Sequence, residues 1–356
     1  MQSIRLLVLF GGVSPEHEVS LRSAESILST LNQDRYRVFP VGITKEGQWF
    51  YFPSSDYSRL PANTWREASG VCPAALSPVR GEGLLLQTPE GLRKEPIDVI
   101  FPVLHGENGE DGSIQGLAQV AGIPCVGAGI AASATSMDKS LTKLVVDRTP
   151  VRQAAWELVT ARDMADADAV FARIEARFAY PVFVKPAGTG SSVGVSKVRS
   201  REQLRAALDE ALRYDKKVLV EEFIDGREVE CAVLGNDEPI TSVCGEIDAG
   251  AEFYDYEAKY LTDTAQLYIP ARISDEAAEQ VRQAAKQVYL ALGCQGLSRV
   301  DFFVTRQGEE VVFNEINTLP GFTSISMYPK LMEASGVPYA ELLDRLVDLA
   351  LEARHG

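Results

Sequence analysis

Two short stretches near the C-terminal end, Arg299-Val-Asp301-Phe-Phe and Val311-Val-Phe-Asn314-Glu315-Ile-Asn317, carry charged or amide side chains two residues apart, at 299 and 301 and at 315 and 317. Folded as a hairpin about Gly308, they set Asp301 opposite Glu315 and Arg299 opposite Asn317. The two-residue period of a strand then puts all four on one face. Facing carboxylates repel unless they share a proton or meet a cation. Oxygen donors without histidine or thiolate suit Mg²⁺. The other reading is a solvated strand face on which Arg299 neutralises the acids.

Upstream, Lys185-Pro-Ala-Gly-Thr-Gly-Ser191-Ser-Val-Gly194 puts a lysine at a strand end before a loop of small residues. Exposed backbone N–H groups in such a loop can close over phosphate oxygens. It is not a Walker A loop, since no lysine follows the last glycine, and a plain connection is the bland alternative. The apolar run 218–224 carries Glu221 and Glu222 at its end and Glu228 beyond, acceptors suited to an adenine amino group and a ribose hydroxyl; exposed acids at a strand end are the default. Two more loops follow predicted strands, Gly11 to Ser20 and Leu104 to Gly112. Glu16 in the first is suited to a substrate ammonium. The second crowds three acids around His105, and its structural reading makes Glu110 or Asp111 the N-cap of the next helix.

These loops need elements to hold them. Residues 4–10 form an apolar run ending in Gly11-Gly12, as in a buried parallel strand. Ala24, Ile27, Leu28 and Leu31 recur at helical spacing. Residues 36–43 and 97–104 read as further strands and 112–120 as a helix, so the sheet is open and its ligands sit beyond the strand ends. Residues 52–94 read as an insertion without clear periodicity. One helix is expected from about 131 to Pro150, strands at 180–185 and 218–223, a helix opened by Ser200 and Gln203 as a capping box, and a long helix over 274–292 stopped by Gly293. The expected units are 1–130 (with the insertion), 131–225 and 226–356, with a ligand cleft between the last two.

Composition narrows the partners. The chain has 356 residues, 46% hydrophobic and 24% charged, with a formal charge of −15. So acidic a protein is a poor match for nucleic acid or an anionic membrane. Three histidines exclude a polyhistidine metal site, and five scattered cysteines fit buried thiols. Residues 1–10 lack a signal-peptide pattern and no apolar run is long enough to span a membrane, so a cytoplasmic location is expected.

Taken together, these stretches resemble the D-alanine–D-alanine ligase family of the ATP-grasp superfamily, from Phe10 to about Lys330. The resemblance rests on Phe10-Gly-Gly with Glu16-His-Glu-Val-Ser-Leu21, His105-Gly-Glu-Asn-Gly-Glu-Asp-Gly112, Ser136-Met-Asp-Lys139, Gly190-Ser-Ser-Val-Gly194, Tyr254-Asp-Tyr-Glu-Ala-Lys-Tyr260 and Asn314-Glu-Ile-Asn-Thr-Leu-Pro-Gly-Phe-Thr-Ser324. It implies an α/β protein of the α+β ATP-grasp kind, an N-terminal open α/β domain followed by two mixed domains clamping ATP. It further implies ligation of two D-alanines through a D-alanyl phosphate, for peptidoglycan precursor synthesis.

Residue by residue, the resemblance gives Asp301, Glu315 and Asn317 two Mg²⁺ ions, for which Mn²⁺ can substitute. ATP would be met by Lys139, Lys185, Ser191, Glu221, Glu222, Ile224, Glu228 and Lys259. Glu16 with Ser191 and Tyr260 would hold the first D-alanine's ammonium, and His105 would lie near its carboxylate. Ser326 and the Met327 backbone would receive the second carboxylate. Arg299 and the Gly321 N–H would stabilise the oxyanion. Residues 246–265 and 188–194 are the expected lids, and a homodimer is the expected assembly.

Rivals within this frame are ligases that take D-lactate or D-serine second. Tyr260, neutral at pH 7, does not repel an ammonium and so favours the dipeptide over the depsipeptide. A non-catalytic ATP-binding module would not need Arg299 and the metal set. A dinucleotide-dependent oxidoreductase lacks its GxGxxG spacing.

Overall fold

The computed structural model describes residues 3–190, 192–248, 266–323 and 325–353. Three sheets follow one another along the chain. The first contains β1 (Ile4–Gly11), β2 (Tyr36–Ile43), β3 (Trp49–Tyr51), β4 (Cys72–Leu76), β5 (Leu84–Thr88), β6 (Gly91–Glu95) and β7 (Val99–Val103), in the order β6-β5-β4-β3-β2-β1-β7. The second contains β8 (Trp156–Thr160), β9 (Val182–Pro186), β10 (Ser196–Val198) and β11 (Lys217–Glu222), in the order β10-β9-β11-β8. The third contains β12 (Gly226–Leu234), β13 (Ile240–Asp248), β14 (Gln266–Tyr268), β15 (Leu297–Thr305) and β16 (Val311–Asn317), in the order β14-β13-β12-β15-β16. The described helices are α1 (His17–Thr30), α2 (Ser113–Ala121), α3 (Ile130–Met137), α4 (Lys139–Val146), α5 (Ala167–Arg177), α6 (Arg201–Ala211), α7 (Asp275–Ala291), α8 (Met327–Ala334) and α9 (Tyr339–Glu352). None is long and apolar enough to cross a membrane.

The expected parallel centre of the first sheet is β2-β1-β7. Its strands are apolar along most of their length because helices cover it; Leu6 to Phe10 are fully buried. The segment 52–94, unreadable in sequence, carries the sheet outward through the antiparallel strands β4 to β6. It also returns Trp65 to the core, edge-on to Phe10 at 5.2 Å and to Phe52 at 6.4 Å.

The first and third sheets share one apolar core. Ala232, Leu234 and Leu297 belong to the same cluster as Leu6, Val8 and Val99, and α9 adds Leu342 and Leu346. Polar ties reinforce this: the Tyr36 hydroxyl donates to Asp344 at 2.5 Å, and Arg35 pairs with Asp344 and Asp348. The second sheet has its own core between α5 and α6.

Three local expectations need correction. The single helix over 131–150 is two, because Asp138 takes an extended conformation and its carboxylate accepts from the N–H groups of Ser140 and Leu141, starting α4 afresh. At α6 the Ser200 side chain makes no cap bond; Gln203 instead accepts from the Arg199 N–H at 2.9 Å. Ahead of α2 the N-cap is Gly112, in the left-handed region, while Asp111 accepts from the Ser113 N–H and Glu110 turns elsewhere.

Gly42 on β2 shows how tightly the insertion is packed. A Cβ there would lie 2.4 Å and 2.6 Å from ring carbons of Trp65 and 2.7 Å from Phe10. Gly42→Ala is therefore expected to destabilise the protein by about 1–3 kcal/mol, as overpacked cores do. Thermal unfolding checks this, and an unchanged midpoint would contradict the packing.

Candidate active site

β15 and β16 pair with Arg299 opposite Asn317 and Asp301 opposite Glu315, as expected. Past Asp301 the register shifts by one, so that Phe302 faces Phe313 and Asn314 is bulged. The bulge sends the Asn314 amide oxygen to the Lys185 ammonium, 3.2 Å away. On the other side of β15, Glu230 of β12 lies in register with Asp301. Three carboxylates, Glu230, Asp301 and Glu315, thus stand side by side across three strands.

Arg299 is the cation among them. Its guanidinium donates to Asp301 at 2.8 Å and 2.7 Å and pairs with Glu230 at 3.0 Å. Burial works against its charge, but Asp301 and Glu230 outweigh burial and raise its pKa well above the usual value. The Asn317 amide donates to Asp301 at 3.0 Å. One guanidinium against three acids leaves the row formally negative, and its donors are oxygens on adjacent strands. That set fits a hard divalent cation.

Across the cleft, β9, β11 and α4 build a second charge cluster. Glu221, only 3% exposed, lies 2.8 Å from Lys185 and 3.2 Å from Lys143. Burial alone would raise its pKa; the two ammonium groups reverse that and hold the carboxyl at about 2. For Lys185 burial is outweighed by Glu221 and the pKa rises, whereas for the deeper Lys143 burial prevails and the pKa falls. Lys139 donates to the Thr189 carbonyl at 2.6 Å, tying α4 to the glycine-serine loop. Glu222, expected at the nucleotide, also accepts from the Ala155 N–H at 2.8 Å. Ile224 and Glu228 line the same cleft.

The loops of the first sheet reach this cleft from the other end. Gly11 has φ +87°, and a Cβ there would lie 2.2 Å from the Ile43 carbonyl oxygen, so the turn out of β1 requires glycine. That turn sets Glu16 at the start of α1. The Glu16 carboxylate lies between two glycines: Cβ atoms on Gly106 and Gly190 would stand 2.9 Å and 3.4 Å from its Oε2. His105 is buried, its Nδ1 3.1 Å from the Leu319 carbonyl. Gly321 passes Ser326, whose hydroxyl would be 2.9 Å from a Cβ there. Ser326 accepts from the Thr323 N–H at 3.0 Å and precedes Met327, the first residue of α8.

Glu16, His105, Lys139, Lys185, Glu221 and the row of Arg299, Asp301, Glu315 and Asn317 line one cleft of about 1350 Å³, with Lys143 behind its wall. Ser191, Lys259 and Tyr260 lie outside the described residues. Glu230 and Lys143 went unread in sequence although their spacing marks them: Glu230 shares a strand face with Glu228, and Lys143 follows Lys139 by one helical turn.

Family models described as D-ala D-ala ligase N-terminus and D-ala D-ala ligase C-terminus match residues 5–128 and 145–348. The chain belongs to the D-alanine–D-alanine ligase family. A relative so named from Acetivibrio thermocellus is 48% identical, covering 98% of this chain and 96% of its own. One from Caldicellulosiruptor bescii is also 48% identical, over 99% and 96%. Among solved structures, the VanG D-Ala:D-Ser ligase of Enterococcus faecalis superposes with a TM-score of 0.90 at 41% identity, covering 98% of this chain and all of that one. The D-alanine-D-alanine ligase of Coxiella burnetii gives 0.86 at 34% identity, over 100% and 96%. The fold is the ATP-grasp fold of that family.

Within this family site Glu110, which does not cap α2, has another role. It accepts from the Gly106 N–H at 2.8 Å and the Leu319 N–H at 3.3 Å, joining two loops. Burial, with Glu16 nearby, raises its pKa to about 8 despite those donors. Between the ordinary carboxyl pKa and about 8, folded Glu110 keeps a proton that the unfolded chain releases. Stability should therefore fall as pH rises from 5 to 8, by at most about 4 kcal/mol. Glu110→Gln should flatten that slope in denaturant titrations at several pH values. Parallel curves for the two proteins would contradict the buried, protonated state.

Proposed function

We propose that this chain joins two D-alanines to D-alanyl-D-alanine at the expense of ATP, through a D-alanyl phosphate. What most supports this is that the carboxylate row around Arg299 faces the Lys185–Glu221 cluster across one cleft that also holds Glu16. Metal, phosphate and ammonium subsites then lie within reach of one another.

Glu221, Ile224 and Glu228 seat the adenosine, and Lys139, Lys185 and the glycine-serine loop take the phosphates, with Lys259 from the segment outside the described residues. Asp301, Glu315 and Asn317 would hold Mg²⁺, or Mn²⁺ in its place, which when bound neutralises charge on the triphosphate. Glu16 fixes the first D-alanine's ammonium, which orients its carboxylate toward the γ-phosphoryl. A carboxylate oxygen attacks phosphorus and ADP leaves. The neutral amine of the second D-alanine, its carboxylate at Ser326 and the Met327 N–H, then attacks the acyl carbon. Arg299 and the Gly321 N–H stabilise the oxyanion, and phosphate departs with the carboxylate oxygen as the new amide nitrogen gives up its extra proton to the departing phosphate.

A second reading, D-serine in the second subsite, draws on the 41% identity to a D-Ala:D-Ser ligase. The sequence relatives favour D-alanine, whereas Tyr260 speaks only against D-lactate, since D-serine also enters with an ammonium. Cytoplasmic, homodimeric operation belongs with the proposal.

Phosphate release should require Mg²⁺, ATP and a D-amino acid together, and should stop in excess EDTA. With D-alanine, D-serine and D-lactate supplied separately as second substrate, the dipeptide with D-alanine should dominate at neutral pH. A dominant seryl or lactyl product would overturn the specificity, and turnover in EDTA the metal assignment. Asp301→Asn should lower turnover by about a hundredfold or more while the protein stays folded, because it removes charge from the row. Near-native turnover at limiting Mg²⁺ would remove Asp301 from the metal set.

A further inference from the structure

Ser23 is fully buried on the inner face of α1. Its hydroxyl stands at a meeting of three segments far apart in sequence. The His105 Nε2 is 3.3 Å away, and the Phe322 N–H donates to the Ser23 oxygen at 3.2 Å. The other ring nitrogen of His105, Nδ1, lies 3.1 Å from the Leu319 carbonyl. A carbonyl oxygen only accepts, so the Nδ1 position carries the proton and Nε2 of the neutral ring is an acceptor. Burial favours that neutral ring by lowering the His105 pKa. The Ser23 hydroxyl hydrogen therefore points to Nε2 while its oxygen receives Phe322.

The same turn is held at its remaining corners. The Leu319 N–H goes to Glu110, and the Phe322 carbonyl accepts from the Tyr339 hydroxyl at 3.0 Å, itself hydrogen-bonded by Ser26 at 3.0 Å. Residues 319–322, which include Gly321, are thus pinned by groups from the first sheet's loops, α1 and α9. A neutral His105 in this state has no N–H left for a substrate carboxylate.

We propose that Ser23 is a positioning residue: through one hydroxyl it fixes the ring of His105 and the Phe322 amide, and so holds the Gly321 N–H in place for reaction of the two amino acids. The proposal rests on the role given above to Gly321. It makes His105 a strut for the turn in the ligand-free enzyme. If Ser23 merely filled space, replacing it would lower stability and leave the chemistry alone.

The test uses the full-length protein labelled with ¹⁵N at histidine, together with the Ser23→Ala and Ser23→Thr variants. The wild type should show His105 protonated at Nδ1 and bare at Nε2. Ser23→Ala should lower kcat for dipeptide formation about ten- to a hundredfold, the scale of a misplaced reacting group, with the KM for ATP moving less than about twofold. Ser23→Thr, which keeps the hydroxyl, should recover at least part of the loss. A wild-type His105 protonated at Nε2, an unchanged kcat in Ser23→Ala, or an ATP KM that rises as far as kcat falls would each overturn the proposal. Should Ser23→Ala not fold, the wild-type tautomer and the threonine variant decide. A protein with no ligase activity would overturn the functional reading instead, and the histidine spectrum would still judge the tie.

Discussion

Three carboxylates side by side across β12, β15 and β16, with a single guanidinium among them, set the terms for the rest of the molecule. Like charges at neighbouring strand positions destabilise a sheet, and burial sharpens the penalty. The row is held because Arg299 reaches both Glu230 and Asp301 and Asn317 donates into it. Such a row is stable only beside positive charge, and the proposed metal with its ATP would supply more of it. Lys185 connects this row to the opposite cluster, since it touches both Glu221 and Asn314.

The architecture separates what must be rigid from what must receive ligand. The first and third sheets share a core, and α9 straps them together. Glu16, His105 and the turn at Gly321 therefore sit on one body, which suits a reaction between two small molecules whose relative placement decides the rate. The second sheet, which carries the proposed nucleotide contacts Lys185 and Glu221, has its own core. It meets the other side where Glu16 approaches Gly190.

Much of this was legible in the sequence where a short-range rule governed it. The opposition of Asp301 to Glu315 followed from hairpin symmetry and the period of two, and α7 ran from Ser274 to its glycine stop as expected. The bulge at Asn314 shows in the sequence only as the adjacent polar pair Asn314-Glu315 after the apolar pair Val312-Phe313, a break in the two-residue period that the hairpin reading passed over. Helices α3 and α4 looked like one until Asp138 broke the chain between them. Ser23 acts through partners that only the tertiary fold supplies, while Glu230 and Lys143 carry a spacing signal that gains meaning once Arg299 and Glu221 are beside them. Residues 52–94 hid their strands because these are only five residues long and lie among proline, serine and glycine, although Phe52, Leu60, Trp65, Leu84 and Leu86 all reach the core.

The central claim is that a carboxylate oxygen of the first amino acid attacks the γ-phosphoryl and later leaves within the inorganic phosphate as its acyl C–O bond breaks. D-Alanine labelled with ¹⁸O in both carboxylate oxygens tests it directly, by mass analysis of the inorganic phosphate released with each dipeptide. The account predicts one ¹⁸O transferred to every phosphate; phosphate free of label while dipeptide accumulates would contradict it.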